Sequence, residues 1–493
     1  MRPRGSGVMG ALAAVVLAAG LALGGAPAAL ADPIREQQYW LEDYGIEAAW
    51  KDTKGAGVKV AVIDTGVDTE HPDLVGNVAG GIDVSGSGEP DGSGPIGARP
   101  EHGTLVATML AGHGNNKLEI AWAKAEAEQQ RIAYERAVAD AEEHDEDPPA
   151  EPEPIEIPEP GPGPDGVIGV APEAQLLTVS LWLGSTNPGG VSVEEQVPKA
   201  LRWAVDQGAK VVNLSLGSTT TDWPRSWDDA FLYAEQQDVV VVAAAGNRAG
   251  GMIQVGAPAT IPGVLTVAGV DRDGKASWDS STQGISIGVS APADPLVGGM
   301  PGGGYAEWTG TSGAAPLVAG VAALIRSKHP ELSAGQVVNR ILATAKDTGA
   351  PGVDNLYGFG LLDADAAVNA DVADSGANPL GTIAEWIRVH RRGAGDPGES
   401  STPTAVPSVD STVPPAAAPS PREPARPGAG LPQVLVLGGG ALLVAMLAAA
   451  AVHAGITRRA LRRRKAAEVT VAAGSWGPAE DGHDAFDDVP EGR

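Results

Sequence analysis

Five short stretches of the chain are apolar almost without interruption. They are "VKVAVID" (58–64), "QLLTVSL" (175–181), "VVNLSL" (211–216), "DVVVVAAAG" (238–246) and "VLTVAGV" (264–270). Runs this short, bounded by turn residues and without strict alternation, predict strands buried on both faces. Helix-length segments lie between them, among them "VEEQVPKALRWAVDQG" (193–208) and "SWDDAFLYAEQQ" (226–237). Strands alternating with helices predict an α/β fold built on a doubly wound parallel sheet. Further on, "LSAGQVVNRILATA" places Ser333 three residues before Gln336, a capping-box start for another helix.

Residues 115–165 break this rhythm. They begin as an Ala/Glu-rich stretch of high helix propensity and pass into a run with eight prolines, which favours extended chain. With 15 acidic and 4 basic residues the segment carries a net charge of −11. It reads as an acidic, helical and Pro-rich insertion projecting from the core, dispensable for folding.

The two ends carry different signals. Residues 1–31 open with Arg2 and Arg4, continue apolar and close on Ala29-Leu30-Ala31, the pattern of a cleaved signal peptide. Residues 32–54 are too few for an independently folded domain. They are expected to pack on the core as an N-terminal extension, with Trp40, Leu41, Ile46 and Trp50 inward. The core is expected over 55–370, followed by a linker and stalk over 371–430 that is Pro/Ser/Ala-rich from Ala394. Residues 431–456 contain no Asp, Glu, Lys or Arg, and their apolar centre would span about 28 Å as a helix. The basic cluster "TRRALRRRK" follows at once and predicts a single transmembrane helix with a cytoplasmic tail over 457–493. The expected location is thus the cytoplasmic membrane, with the bulk of the chain outside.

Composition then narrows the chemistry. The 493-residue chain has a net charge of −28, which argues against nucleic acid as a partner. It contains no cysteine, so disulfides, thiolate metal sites and cysteine nucleophiles are excluded. Four polar residues fall at predicted strand ends or helix starts: Asp64 in "VIDTG", His102 in "EHGTLVA", Asn247 in "AAAGN" and Ser312 in "GTSGAAP". Taken singly, each has an ordinary reading as a cap or turn residue. Together they are the set that acyl transfer by serine requires: a nucleophile, a base, a carboxylate to orient the base, and an oxyanion donor. The backbone N–H of Ser312, at a helix start, supplies a second donor.

In this order, "VIDTG", "HGT", "AAAGN" and "GTSGAAP" resemble the signature segments of the subtilisin-like serine proteases, and "YGFGLLDADAAV" resembles the segment closing their catalytic domain. The resemblance implies a subtilisin-like fold and the triad Asp64, His102 and Ser312, with Asn247 and Ser312 forming the oxyanion hole. It implies that Ser215, Leu216 and Gly217 pair with substrate backbone, and that they and Ala244, Ala245 and Gly246 wall the pocket for the residue before the scissile bond. No cofactor is implied. No metal site is assigned, although many relatives bind calcium; Asp68, Asp73 and Asp83 read as acidic surface residues. The order of leader, catalytic domain, Pro-rich stalk and membrane helix is similar to that of the mycosins, membrane-anchored proteases of type VII secretion systems. That likeness implies peptide or protein substrates and a membrane secretion complex as partner. A second reading makes the chain mainly a structural subunit of such a complex. Residue 313 is Gly where subtilisins commonly have methionine, so the enzyme is expected to resist peroxide and to tolerate Gly313→Ala if position 313 is helical.

Overall fold

A computed structural model describes residues 33–373 and 375–391. The expected leader, the stalk beyond residue 391, the membrane helix at 431–456 and the tail lie outside the described residues. Within them, no helix is long and apolar enough to cross a membrane.

In chain order the first elements are α1 (Trp40–Asp43), α2 (Ile46–Ala49), β1 (Lys59–Asp64), β2 (Val78–Asp83), α3 (His102–Ala111), β3 (His113–Asn115), α4 (Lys117–Glu143), β4 (Asp165–Ile168) and β5 (Gln175–Ser180). There follow α5 (Val193–Asp206), β6 (Val211–Leu214), α6 (Arg225–Gln236), β7 (Val240–Ala244), β8 (Leu265–Asp271), β9 (Ile287–Asp294), β10 (Leu296–Met300) and β11 (Gly304–Trp308). The last are α7 (Thr311–Lys328), α8 (Ala334–Ala343), α9 (Ala364–Asn369) and α10 (Ile383–His390).

Seven strands form one sheet in the order β2-β5-β1-β6-β7-β8-β9. Every pair in it is parallel. Successive side chains of a strand point to opposite faces, and here both faces are covered. Val60 and Val62 of β1 enter the core beneath α3, α7 and α8, while Ala61 and Ile63 enter the one beneath α5 and α6. This explains the unbroken apolar runs. The same logic makes α7 apolar on every side, since it is buried almost throughout. The Ser333/Gln336 capping box is present, and α5 begins with a second one at Ser192 and Glu195.

The N-terminal segment is part of this packing. Trp40, Leu41 and Ile46 are buried, whereas Trp50 is half-buried and its indole N–H donates to the Val170 carbonyl at 2.8 Å. The Gln38 side chain donates to the Ile168 carbonyl at 2.8 Å and accepts from the Ile168 N–H at 3.0 Å, adding one rung to β4.

One boundary and one side chain differ from expectation. The fold continues beyond residue 370, where a linker is expected. Thr382 caps α10, whose Ile383, Trp386 and Ile387 lie one turn apart and pack on the α5–α6 side. The Trp386 ring sits 4.4 Å from that of Trp223, and the guanidinium of Arg391 pairs with Asp228 at 2.7 Å. Asp73 is not a surface residue: it is fully buried. Its Oδ1 accepts from the Asn115 amide (2.6 Å) and the Tyr305 hydroxyl (3.2 Å), and its Oδ2 from the Val167 N–H (2.9 Å).

Between β3 and β4, α4 runs for 27 residues, about 40 Å, with Ala141 its one buried side chain. The proline-rich return follows it. The Gln130 side chain donates to the Glu153 carbonyl, and Asn116 exchanges hydrogen bonds with Glu159 and Gly161.

Candidate active site

The sheet places the site. In a doubly wound sheet, functional groups gather beyond the carboxyl ends of the strands where the order reverses. Here that reversal brackets β1, which has β5 on one side and β6 on the other. Asp64 is the last residue of β1, Ser215 follows β6, and Asn247 lies three residues past β7. His102 opens α3 and Ser312 is the second residue of α7.

The imidazole of His102 donates through Nδ1 to Asp64 Oδ1 at 2.7 Å. A carboxylate can only accept, so the proton of a neutral ring sits on Nδ1 and Nε2 is left as a base. The same Asp64 oxygen accepts from the Thr65 N–H at 2.7 Å and hydroxyl at 3.2 Å, while Oδ2 is buried with no donor. Among the described residues, the carboxylate's hydrogen bonds come from His102 and Thr65 alone. Thr65 also accepts from the Gly103 N–H at 3.2 Å and ties the start of α3 to the end of β1.

Ser312 is held by its backbone. The proline at 316 has no N–H to give to the carbonyl four residues earlier, so the Ser312 carbonyl is free within the helix. The Ser215 hydroxyl takes it at 2.8 Å, and Ser215 Oγ in turn accepts from the Asn213 amide at 2.9 Å. The Ser312 hydroxyl points to the Ser215 carbonyl at 3.3 Å, so a turn about its Cα–Cβ bond must precede proton transfer to His102. The Ser312 N–H is in the first turn of α7, where no intrahelical acceptor exists.

Asn247 is oriented by Thr311. Its Oδ1 receives the Thr311 N–H and hydroxyl, each at 2.9 Å. An N–H can only donate, so this oxygen is assigned without ambiguity and Nδ2 remains as the donor. Gly310 makes room for it: φ is +141°, and a Cβ there would stand 2.9 Å from Asn247 Nδ2.

The cleft beside these groups has a volume of about 510 Å³ and is lined by Thr65, His102, Leu183 and residues 215–218, among others. Of the expected substrate residues, Ser215, Leu216 and Gly217 line it. The side chains of Ala244 and Ala245 do not, because each is buried in one of the two cores. Gly246 is not among the residues lining this cleft either; its backbone borders the side chain of Met252. Two residues missed in the sequence complete the site. The ring of Trp308 meets that of His102 edge-on at 5.8 Å. The side chain of Met252 lies against Gly217 and Gly246. Neither sits in a motif, and only the return of β11 and of the 247–252 turn brings them there.

Position 313 is helical, as expected, but it does not have room for a side chain. A Cβ would stand 2.2 Å from Leu296 Cδ1 and 3.1 Å from Trp308 Cζ2, two residues paired across β10 and β11. Among the described residues no three His, Asp or Glu side chains converge on a metal position. At Asp73 the carboxylate oxygens are taken by N–H and O–H donors, so that pocket does not fit a calcium ion.

Comparison with known proteins agrees with this architecture. The subtilase family model (Peptidase S8) matches residues 55–360. Subtilisin Savinase of Lederbergia lenta is 34% identical over 317 residues, 64% of this chain and 91% of that protein. Subtilisin E of Bacillus subtilis (strain 168) is 33% identical over 315 residues, covering 64% and 66%. The crystal structure of fervidolysin from Fervidobacterium pennivorans, a keratinolytic enzyme related to subtilisin, matches with a TM-score of 0.54 and 27% identity over 70% of this chain and 47% of that one. The structure of MycP3 protease from the type VII (ESX-3) secretion system is 30% identical over 70% of this chain and 90% of that one, with a TM-score of 0.48. The chain belongs to the subtilase family and is a subtilisin-like serine endopeptidase.

Proposed function

We propose that Ser312 is the nucleophile of this endopeptidase, His102 its general base, Asp64 the carboxylate that orients His102, and Asn247 with the Ser312 N–H the oxyanion hole. The observation that carries the assignment is the 2.7 Å His102–Asp64 hydrogen bond. It fixes the tautomer in which Nε2 can take the Ser312 proton. An extended substrate lies along residues 215–217. As its carbonyl is attacked, the Ser312 hydroxyl leaves the Ser215 carbonyl and passes its proton to Nε2, and Asp64 stabilises the imidazolium. The negative charge on the substrate oxygen meets Asn247 Nδ2, held in place beforehand by Thr311. The imidazolium then protonates the leaving amine, and water repeats the sequence to release the acid.

Ser312→Ala should reduce turnover on a casein or peptide substrate by about 10⁶-fold, as in subtilisin itself. Asn247→Ala should reduce it by about 10²–10³, the size found for subtilisin's own oxyanion amide. Parent-like hydrolysis by folded Ser312→Ala protein would refute the assignment.

The order of segments supports a more specific reading. A leader, a catalytic domain, a Pro-rich stalk and a charge-free 26-residue stretch followed by six basic residues fit a protease tethered to the cytoplasmic membrane with its site outside. That order resembles the mycosins and favours work beside a type VII secretion complex. Extraction in mild detergent, followed by identification of co-purifying proteins, tests it. Recovery of the chain in the soluble fraction after lysis would count against the tether.

A further inference from the structure

The gap between Gly217 and Gly246 opens beside the nucleophile. The Ser312 hydroxyl rests on the carbonyl of Ser215, two residues before Gly217, and Asn247 directly follows Gly246. A substrate running along residues 215–217 with its carbonyl at Asn247 must therefore send the side chain before the scissile bond into this gap. Two facing glycines would ordinarily leave it wide. Here a side chain already stands in it.

That side chain is Met252. A Cβ built on Gly246 would lie 2.5 Å from Met252 Sδ, and one built on Gly217 would lie 3.4 Å from Met252 Cε and 3.6 Å from Sδ. The thioether thus spans from one glycine backbone to the other. It is brought back by a tight turn: the Asn247 carbonyl accepts the N–H of Gly250 at 3.1 Å and that of Met252 at 3.2 Å. The turn is fastened from outside as well. The Arg248 guanidinium lies 4.0 Å over the Trp278 ring and donates to the Trp278 carbonyl at 3.2 Å, and the Ala249 N–H bonds the Asp279 carbonyl at 3.0 Å. Met252 is half-buried, while its neighbour Ile253 is 79% exposed, so the turn sorts the two apolar side chains, one into the gap and one into water.

We propose that Met252 sets the substrate preference of this enzyme by filling the gap between Gly217 and Gly246, so that peptides with Gly, Ala or Ser before the scissile bond are cut in preference to those with Leu or Phe. The inference rests on the catalytic assignment made above. A small side chain fits beside the thioether. A large one must expel it, and Arg248 and the Asn247 carbonyl hold the turn that carries it. The thioether has three rotatable bonds and no polar group tying it down, so it is removable by mutation without unpairing a hydrogen bond.

The test uses tetrapeptide p-nitroanilides that differ only in the residue before the anilide, with full-length protein in detergent. Parent enzyme should show a higher kcat/KM for Ala than for Phe. Met252→Ala should raise the Phe/Ala ratio at least tenfold, and Met252→Leu, of similar volume, should leave it near the parent value. A parent that prefers Phe, or a Met252→Ala ratio within twofold of the parent, overturns the proposal. Labelling of Ser312 by a fluorophosphonate, read in every variant, separates the two levels of the argument. A labelled enzyme with an unchanged ratio refutes the role of Met252 alone. An unlabelled, inactive but folded parent refutes the catalytic assignment and this proposal with it.

Discussion

At residue 313 the absence of a side chain is a packing requirement. Leu296 and Trp308 occupy the space where a Cβ would go, and Trp308 also supports the edge of the His102 ring. Gly313→Ala should therefore destabilise the protein by about 1–3 kcal/mol, the usual range for overpacking, and reduce turnover. Adding Leu296→Val should recover part of both losses. Denaturant titration of the three proteins checks this, and an Ala variant as stable as the parent would contradict it. The expectation of peroxide resistance also changes, because it considers residue 313 alone. Peroxide transfers an oxygen to a thioether and leaves water, making a bulkier polar sulfoxide. With Met252 at the site, dilute peroxide should slow cleavage of Ala substrates, and Met252→Leu should withstand it. Equal inactivation of both proteins would place the damage elsewhere. Asp64, His102, Asn247 and Ser312 were legible because their chemistry needs fixed residue types in recurring short contexts. Met252 and Trp308 were not, because an isolated apolar residue carries no sign of what it will touch.

Among the elements, the five apolar runs all appear as strands with bounds within two residues of expectation, β6 ending two early and β7 two residues shorter at each end. The strand β2, with two glycines, and the β10–β11 hairpin, with its Gly-rich turn, lacked that signature; their pairing depends on partners distant in sequence. Helix α10 was legible from Thr382, Ile383, Trp386 and Ile387, but the Pro/Ser-rich composition further along concealed it. The α4 segment behaves differently from the rest. Its side chains are solvated, apart from Ala141, and Arg131 bridges Glu128 and Glu135 on its own surface. Replacing residues 119–158 by a short Gly/Ser linker should leave the melting temperature within a few degrees and peptide hydrolysis intact. The linker keeps Asn116, Gly161 and Asp165, which fasten the base of the excursion. Loss of soluble protein would show that α4 supports the core.

Across the whole molecule, one buried polar network joins segments far apart in sequence. His71 Nδ1 accepts from the Asp73 N–H at 3.2 Å and Nε2 faces the Gly304 carbonyl at 3.3 Å, so the neutral ring satisfies both. Burial holds His71 below its ordinary value of 6.5, against the opposing pull of Asp73 and Asp68. As pH falls through 6.5 the unfolded chain takes up a proton that folded His71 refuses, and stability declines until the folded ring titrates. Asp73 acts in the opposite sense. Burial raises its carboxyl above 3.8, so the fold binds that proton first and gains stability as pH falls through the raised value. Between about pH 7.5 and 5.5 the His71→Gln variant should lose melting temperature less steeply than the parent. Parallel slopes would mean that His71 does not govern acid sensitivity.

The central position of β1 also bears on how the chain is made. Val60 pairs with Leu176 on one side and with Val211 on the other, so neither neighbour exists when β1 leaves the ribosome. At about 5–20 residues per second the strand waits roughly 8–30 s for its second partner. Throughout that interval an apolar segment with unpaired N–H and C=O groups is open to other chains. Parallel pairings of such long sequence separation also close slowly. Yield of the active protein should therefore be governed by whatever shelters the unpaired chain until its partners are present on the side of the membrane where it folds, more than by the stability of the finished fold.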